Sequence, residues 1–158
     1  MKVERIMTKD ISACTPGQTL NRAAQIMWER DCGCVPVVNE HNIVVGMITD
    51  RDVCMAAYTT NAPLSSLRVG DIMARRVIGV GPFDTVEAAE GLMQRHQVRR
   101  LPVVGLENQL VGIVSLNDLA RAARLQPHAR ERGVDAEAIE ATLAAVSEPR
   151  AASARAAS

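Results

Sequence analysis

Val45-Gly46-Met47-Ile48-Thr49-Asp50-Arg51-Asp52 returns later in the chain as Val111-Gly112-Ile113-Val114-Ser115-Leu116-Asn117-Asp118, an offset of 112 − 46 = 66 residues. In both places an apolar strand-like run ends in Thr or Ser, and an Asp follows three residues on. A hydroxyl followed at that spacing by a carboxylate is how a helix N-terminus is written, because each side chain can satisfy a backbone N–H that the first turn leaves unpaired. The stretch is therefore a strand-to-helix junction, used twice.

Carried outward, the same offset never slips. Ile6-Met7 aligns with Ile72-Met73, Pro16 with Pro82, Thr19 with Thr85, Ala23 with Ala89 and Met27 with Met93. Pro36-Val37-Val38 aligns with Pro102-Val103-Val104, Asn42 with Asn108, and Ala56-Ala57 with Ala122-Ala123. Two copies of one unit fill residues 6–57 and 72–123, and such self-similarity sets the architecture before any local reading does.

Within a copy the pattern predicts strand, helix, strand, strand, helix. Ile11 to Cys14 reads as a short strand stopped by Thr15-Pro16-Gly17, with Val77 to Val80 before Pro82 as its echo. Thr19 can cap a helix through Arg30 with Leu20, Ala23, Ala24 and Met27 on one face, and Thr85 to His96 puts Val86, Ala89, Leu92 and Met93 on the corresponding face. Val35 to Val38 and Ile43 to Ile48, joined by the polar turn Asn39 to Asn42, predict a hairpin. Thr49 then opens a helix to about Tyr58. The fold class expected is α/β, of the α+β kind, with two β-α-β-β-α repeats and a C-terminal helix.

The boundaries follow: 1–60 for the first repeat, 61–70 for a linker and lead-in, 71–124 for the second repeat, and 125–158 for a C-terminal helix and disordered tail. Gln126-Pro127 breaks the chain after the second copy. Asp135 can cap a helix to about Val146, with Ile139, Leu143 and Val146 on a stripe that needs a partner. Pro149 to Ser158, rich in Ala, Ser and Arg, reads as disordered.

The chain has 158 residues, about one domain's worth, and the two copies are expected to share one core. Apolar residues make up 47% and aromatics only 2%, namely Trp28, Tyr58 and Phe83, so that core is aliphatic. Lys and Arg total 18, as do Asp and Glu, which leaves no net basic field for a nucleic-acid backbone. No apolar run approaches membrane-spanning length, and Met1-Lys2-Val3-Glu4-Arg5 lacks the core of a signal peptide; the expectation is a cytoplasmic protein with no nucleic-acid or membrane partner. Four cysteines, Cys14, Cys32, Cys34 and Cys54, then read as reduced thiols. Cys32-Gly33-Cys34 with His41 nearby is the sharpest metal or redox motif, but it lacks a second paired knuckle.

Chemically, a helix N-terminus offers unpaired N–H groups and partial positive charge, a ready seat for phosphate. Thr49 and Ser115 add hydroxyls there, and Asp52 and Asp118 stand where a carboxylate can accept from a vicinal diol such as a ribose. The same residues are equally a capping box with no ligand, and duplication does not separate the two readings, since a repeat copies its caps. No Ser/His/Asp or Cys/His arrangement, phosphate-binding Gly loop or paired carboxylate supports catalysis, and His96 reads as a helix-terminal residue.

The repeat resembles the cystathionine-β-synthase (CBS) domain, and the tandem resembles a Bateman module, over residues 1 to about 124. The motifs that carry the resemblance are the Ile-Met lead-ins, the Pro16 and Pro82 turns, the two Pro-Val-Val strands, and Gly-x-x-Thr/Ser-x-x-Asp twice. The resemblance implies a small mixed sheet with helices on one side in each repeat, the repeats related by a pseudo-twofold axis. It also implies clefts for adenosine-type ligands: AMP, ADP, ATP, S-adenosylmethionine or NAD. Thr49 and Asp52 would serve one ribose-phosphate and Ser115 and Asp118 the other, with Ile11, Pro16, Val77 and Pro82 offering backbone and aliphatic surface to adenine. Arg99-Arg100, before the second Pro-Val-Val strand, falls where the family often carries phosphate-binding basic residues, although an exposed charged edge is an equal reading. Arg51 lies in the first junction and Leu116 is read as its match in the second, so positive charge is uneven there too.

The function expected is a stand-alone, non-catalytic sensor that binds an adenosine-type nucleotide in the cleft between its two repeats. It would signal through conformation to a protein partner in trans or through self-association, as a homodimer. Two rivals remain: a thiol or zinc sensor using Cys32 and Cys34, and a structural dimer with no ligand.

Overall fold

The computed structural model describes residues 1–125 and 135–149. Gln126-Pro127 and most of the expected disordered tail lie outside the described residues.

Each copy is built around a hairpin whose first strand has an apolar, buried centre, and in the first copy that strand is apolar at every position. Strand β1 (Cys34–Val38) pairs antiparallel with β2 (Val44–Thr49), and β3 (Arg100–Val104) pairs with β4 (Leu110–Ser115). In the first pair Cys34 stands opposite Thr49 and Val37 opposite Gly46, with an irregularity between Val37 and Val38. All five residues of β1 are buried, which is why it reads as a continuous apolar run, whereas β2 alternates. The turn between them needs a left-handed residue, and Asn42 supplies it at φ 60°.

The strands expected over Ile11 to Cys14 and Val77 to Val80 each shrink to one parallel bridge, Cys14 with Val37 and Val80 with Val103. Cys14 N–H donates to the Pro36 carbonyl at 3.1 Å and Val38 N–H to the Cys14 carbonyl at 2.9 Å; Val80 repeats both bonds with Pro102 and Val104. Pro36 and Pro102 have no N–H to offer that edge, and the turns at Pro16 and Pro82 end the extended segment one residue later.

Helices α1 (Leu20–Glu29) and α2 (Asp50–Thr60) belong to the first copy, and α4 (Val86–His96) and α5 (Leu116–Leu125) to the second. A single turn, α3 (Val69–Ile72), and a 3-10 turn at Val3–Arg5 are the two lead-ins, and α6 (Ala136–Ser147) is the C-terminal helix. Helices α1 and α4 both close on a left-handed residue, Asp31 and Gln97, with the N–H of Cys32 and of Val98 reaching back to Met27 and Met93.

The chain forms two compact units, and their composition crosses the repeat boundary. One comprises Asp10–Val77 with Leu106–Leu110; the other comprises Met1–Lys9, Ile78–Gly105 and the described residues from Val111 onward. Each repeat is thus completed by the lead-in of the other copy. Met73 lies against Gly46 and Met7 against Gly112, so closely that a Cβ on either glycine would stand 2.5 Å from the methionine sulfur. The glycine of the duplicated stretch is there because a neighbour needs its space.

The expected shared core is instead two clusters. One gathers Cys14, Leu20, Ile26, Val35, Val37, Ile48 and Val69; the other gathers Val3, Val86, Met93, Leu101, Val114 and Leu119. With a borrowed lead-in, each unit reaches the size at which an aliphatic core can stand on its own. The stretch after α2 is not a loose tether: Leu64 and Leu67 pack on the first cluster, and the Leu67 carbonyl accepts the Leu20 N–H at 2.9 Å.

Helix α6 packs on α4 and α5. Its buried side carries Thr142 and Val146 with Ile139 partly covered, while Leu143, expected on that stripe, is 50% exposed. Thr142 takes the contact position because Gln94 on α4 donates to its hydroxyl at 2.8 Å. The expected apolar faces of α1 and α4 also shift by one position. Ile26 is buried rather than Ala24, and on α4 the carboxylate Glu90 is buried while Leu92 is only partly so.

Candidate functional site

Both junctions fold as the spacing dictates, and in both the capping box is complete. Thr49 is the N-cap of α2, and its N–H and hydroxyl both donate to Asp52 Oδ2, at 2.8 and 2.7 Å, while Asp52 N–H donates back to the hydroxyl at 3.2 Å. Ser115 and Asp118 repeat the set at 2.8, 2.6 and 3.2 Å. Each hydroxyl is thereby turned toward its own Asp, and each Asp has spent one oxygen on the cap.

The remaining oxygens differ. Asp118 is 6% exposed, and its Oδ1 is held by the Arg121 guanidinium one turn further along α5. Asp52 has no such partner: among the described residues nothing bonds its Oδ1, which leaves one carboxylate acceptor for an incoming hydroxyl. Position for position, Met55 stands in α2 where Arg121 stands in α5.

Positive charge is placed in the opposite sense. The Leu116 N–H that opens α5 donates to the Arg99 carbonyl at 3.0 Å, so the backbone seats Arg99-Arg100 beside the second helix start. At the first junction the same bond runs from Asp50 N–H to the Gly33 carbonyl at 3.1 Å. Neither Arg99 nor Arg100 has an ion pair among the described residues, and Arg100 is the first residue of β3. The alignment of Arg51 with Leu116 needs correction. With Thr49 and Ser115 as equivalent caps, Leu116 matches Asp50, and Arg51, which is exposed, matches Asn117. The charge asymmetry stands, now as Arg51 against Asn117.

The proline turns are occupied by the lead-ins. The Pro16 carbonyl accepts the Gly70 N–H and the Pro82 carbonyl the Glu4 N–H, both at 2.9 Å. Ile11 and Val77 are half-buried. The parallel bridge at Cys14 carries the chain upstream toward the Cys34 end of β1, the end that pairs with Thr49. That places Ile11 on the junction side of its unit.

The four cysteines all lie in the first unit, with Cys14 in its core cluster and Cys32 packed against it. None is in a disulfide; Cys14 and Cys34 are buried, and Cys54 is exposed on α2. Burial pushes the Cys14 thiol up to about 11. His41 is at the hairpin tip, exposed and facing Glu40. Among the described residues no group of three or more His, Cys, Asp or Glu is placed to hold a metal ion. Nor, among them, is any helix long and apolar enough to cross a membrane.

A duplicated hairpin-and-helix unit, each copy finished by its twin's lead-in and each ending in a capped strand-to-helix junction, defines a tandem-repeat α/β module. The CBS domain family model matches residues 3–58 and 69–125, and the chain belongs to that family. A CBS domain-containing protein of Bacillus subtilis, YhcV, is 38% identical over 118 residues, covering 75% of this chain and 82% of its own. Among solved structures, Hypoxic Response Protein I, with two coordinated zinc ions, superposes with a TM-score of 0.70 at 30% identity, covering 77% of this chain and 98% of that one. The CBS domain pair of protein MJ0100, in complex with 5′-methylthioadenosine and S-adenosyl-L-methionine, gives a TM-score of 0.69 at 27% identity, with 77% and 98% covered.

Proposed function

We propose that this CBS pair is a non-catalytic regulatory module that binds an adenosine-type ligand at its strand-to-helix junctions and passes the signal to a partner in trans or to a second copy. The observation that carries the reading is the pair of junctions. Arg99 and Arg100 stand without ion pairs among the described residues, beside the Ser115 helix start, where an N-terminal dipole already favours phosphate. At the other junction Asp52 keeps a carboxylate oxygen without a partner among the described residues, the acceptor a ribose hydroxyl needs. The adenosyl ligands held by the MJ0100 pair support that class of ligand. AMP, ADP, ATP, S-adenosylmethionine and NAD all fall within it.

In this reading Thr49, Arg51 and Asp52 serve one ligand, and Ser115, Asp118, Arg99 and Arg100 the other. Ile11, Pro16, Val77 and Pro82 supply apolar and backbone surface to the base. The protein works in the cytoplasm as a homodimer. Ligand shifts its conformational equilibrium by no more than the difference in affinity between the two states.

Thermal unfolding against those five ligands tests this, with each variant compared against its own ligand-free midpoint because Asp118→Ala also removes a cap. A concentration-dependent rise with one ligand, lost in Arg100→Ala and in Asp118→Ala, is the expected result. Lower midpoints with no ligand-dependent rise in any protein would leave a structural dimer. Zinc belongs in the same panel, since a zinc-dependent rise abolished by Cys32→Ser would turn the reading to a thiol or metal sensor.

A further inference from the structure

Among the described residues Glu90 is the one buried carboxylate that neither a cap nor a junction uses. It is 5% exposed, and its Oε1 is sealed from water with no hydrogen-bond partner among the described residues. Glu90, Gln94 and Gln97 recur at helical spacing along one side of α4, and that side faces α6. Gln94 bonds the Thr142 hydroxyl at 2.8 Å, and Gln97 reaches the Ala145 and Glu148 carbonyls at 3.4 and 3.5 Å. The polar row is therefore satisfied at two positions by α6 and left open at the third.

The charges around that position are of one sign. Glu87 lies one turn earlier on α4 and Asp135 caps the start of α6, and both carboxylates repel negative charge on Glu90. Elsewhere on the elements packed against α4, Arg121 is held by Asp118, and the Met1 amino group faces Glu87 at 4.0 Å. Lys2 donates to the Phe83 carbonyl. Arg95 and His96 sit in the last turn of α4, Arg124 at the end of α5 and Arg100 at the start of β3, while Glu137 and Glu140 are exposed on α6.

We propose that the docking of α6 onto α4 is proton-linked through Glu90: the carboxylic acid is the form that fits under α6, and its ionisation releases the helix. Burial, reinforced by Glu87 and Asp135, raises the Glu90 carboxyl from its ordinary 4.5 to about 7. The sign follows from linkage. Below about pH 4.5 Glu90 carries its proton whether α6 is docked or free, and docking is undiminished. From there to about pH 7 only the docked form keeps the proton, so docking weakens steadily; above 7 both forms are ionised and the loss is complete. Release would uncover the surface of Met93, Leu116 and Leu119, the counterpart of the Met27 and Val53 groove on the first repeat.

The experiment is residue-level amide hydrogen exchange on the full chain between pH 5 and 8, expressed as protection factors. The α6 amides from Ile139 to Val146 should lose roughly tenfold to a few hundredfold in protection across that range, while α1 keeps its own. In Glu90→Gln, and in Glu90→Ala, which carries the residue found at position 24, the α6 profile should be flat whatever its level. An α6 profile that falls equally in these variants overturns the proposal. The carboxyl carbon-13 titration of Glu90 decides independently of the variants: a midpoint between about 6 and 8 sustains the linkage, and one near the ordinary 4.5 ends it.

Discussion

The two repeats are the same unit folded twice, yet their helix faces end differently. Helices α4 and α5 lie under α6, whereas α1 and α2 leave an open, mainly apolar groove lined by Ala24, Met27, Trp28, Asp50, Val53 and Cys54. Shifted by the repeat offset, those residues become Glu90, Met93, Gln94, Leu116, Leu119 and Ala120, so that Asp50 alone is exchanged the other way, for an apolar residue. The covered copy has polar groups, Glu90 and Gln94, where the open copy has Ala24 and Trp28, and Trp28 is 89% exposed. A surface that binds a helix within the chain uses hydrogen bonds to fix its partner's register. Its twin has an open, mainly apolar groove at the matching place.

Substitutions at matched positions sharpen or break this comparison. The largest effect is expected in the covered core, where Leu119→Ala, at 0% exposure under α6, should cost about 2–5 kcal/mol. Val53→Ala, its partner position, should cost less than half as much. Denaturant midpoints of the two variants measure this, and equal losses would mean that the cover adds nothing to the core. Next come the caps. Asp118→Ala should lower stability by about 1–2 kcal/mol and Asp52→Ala by about 0.5–1 kcal/mol, because only Asp118 is both buried and held by Arg121.

Gln94→Ala should cost about 1 kcal/mol through the lost bond to Thr142, whereas Trp28→Ala should stay within about 0.5 kcal/mol in the monomer. A large loss for Trp28→Ala that grows with protein concentration would instead show the open face already in use. Smallest in energy is the thiol contrast inside the first repeat. At pH 8 Cys54 should be alkylated readily, while Cys14, buried and pushed up to about 11, should react only on unfolding; mass mapping after a timed alkylation reads both.

Much of this was legible in the sequence because a repeat checks its own reading. The hairpins, the four long helices and both capped junctions follow from period, turn chemistry and hydroxyl-x-x-Asp spacing, each seen twice. The first strand of each copy was overread, since an apolar run before a proline turn fixes extended backbone but not how many residues find a partner. The role of Gly46 and Gly112 was hidden for another reason. Nothing local marks a glycine that makes room for a methionine of the other copy's lead-in.

What the sequence by itself determined is everything that depends on near neighbours: the repeat, the order of elements, the caps at Thr49 and Ser115, and the aliphatic character of the core. Tertiary structure alone decided which lead-in completes which repeat, that α6 packs on α4 and α5, and that Glu90 is buried while its twin Ala24 is only partly so. Burial and pairing depend on what arrives from distant chain. Helix α6 has no counterpart in the first copy, so the offset that predicts one repeat from the other is silent where α6 lands.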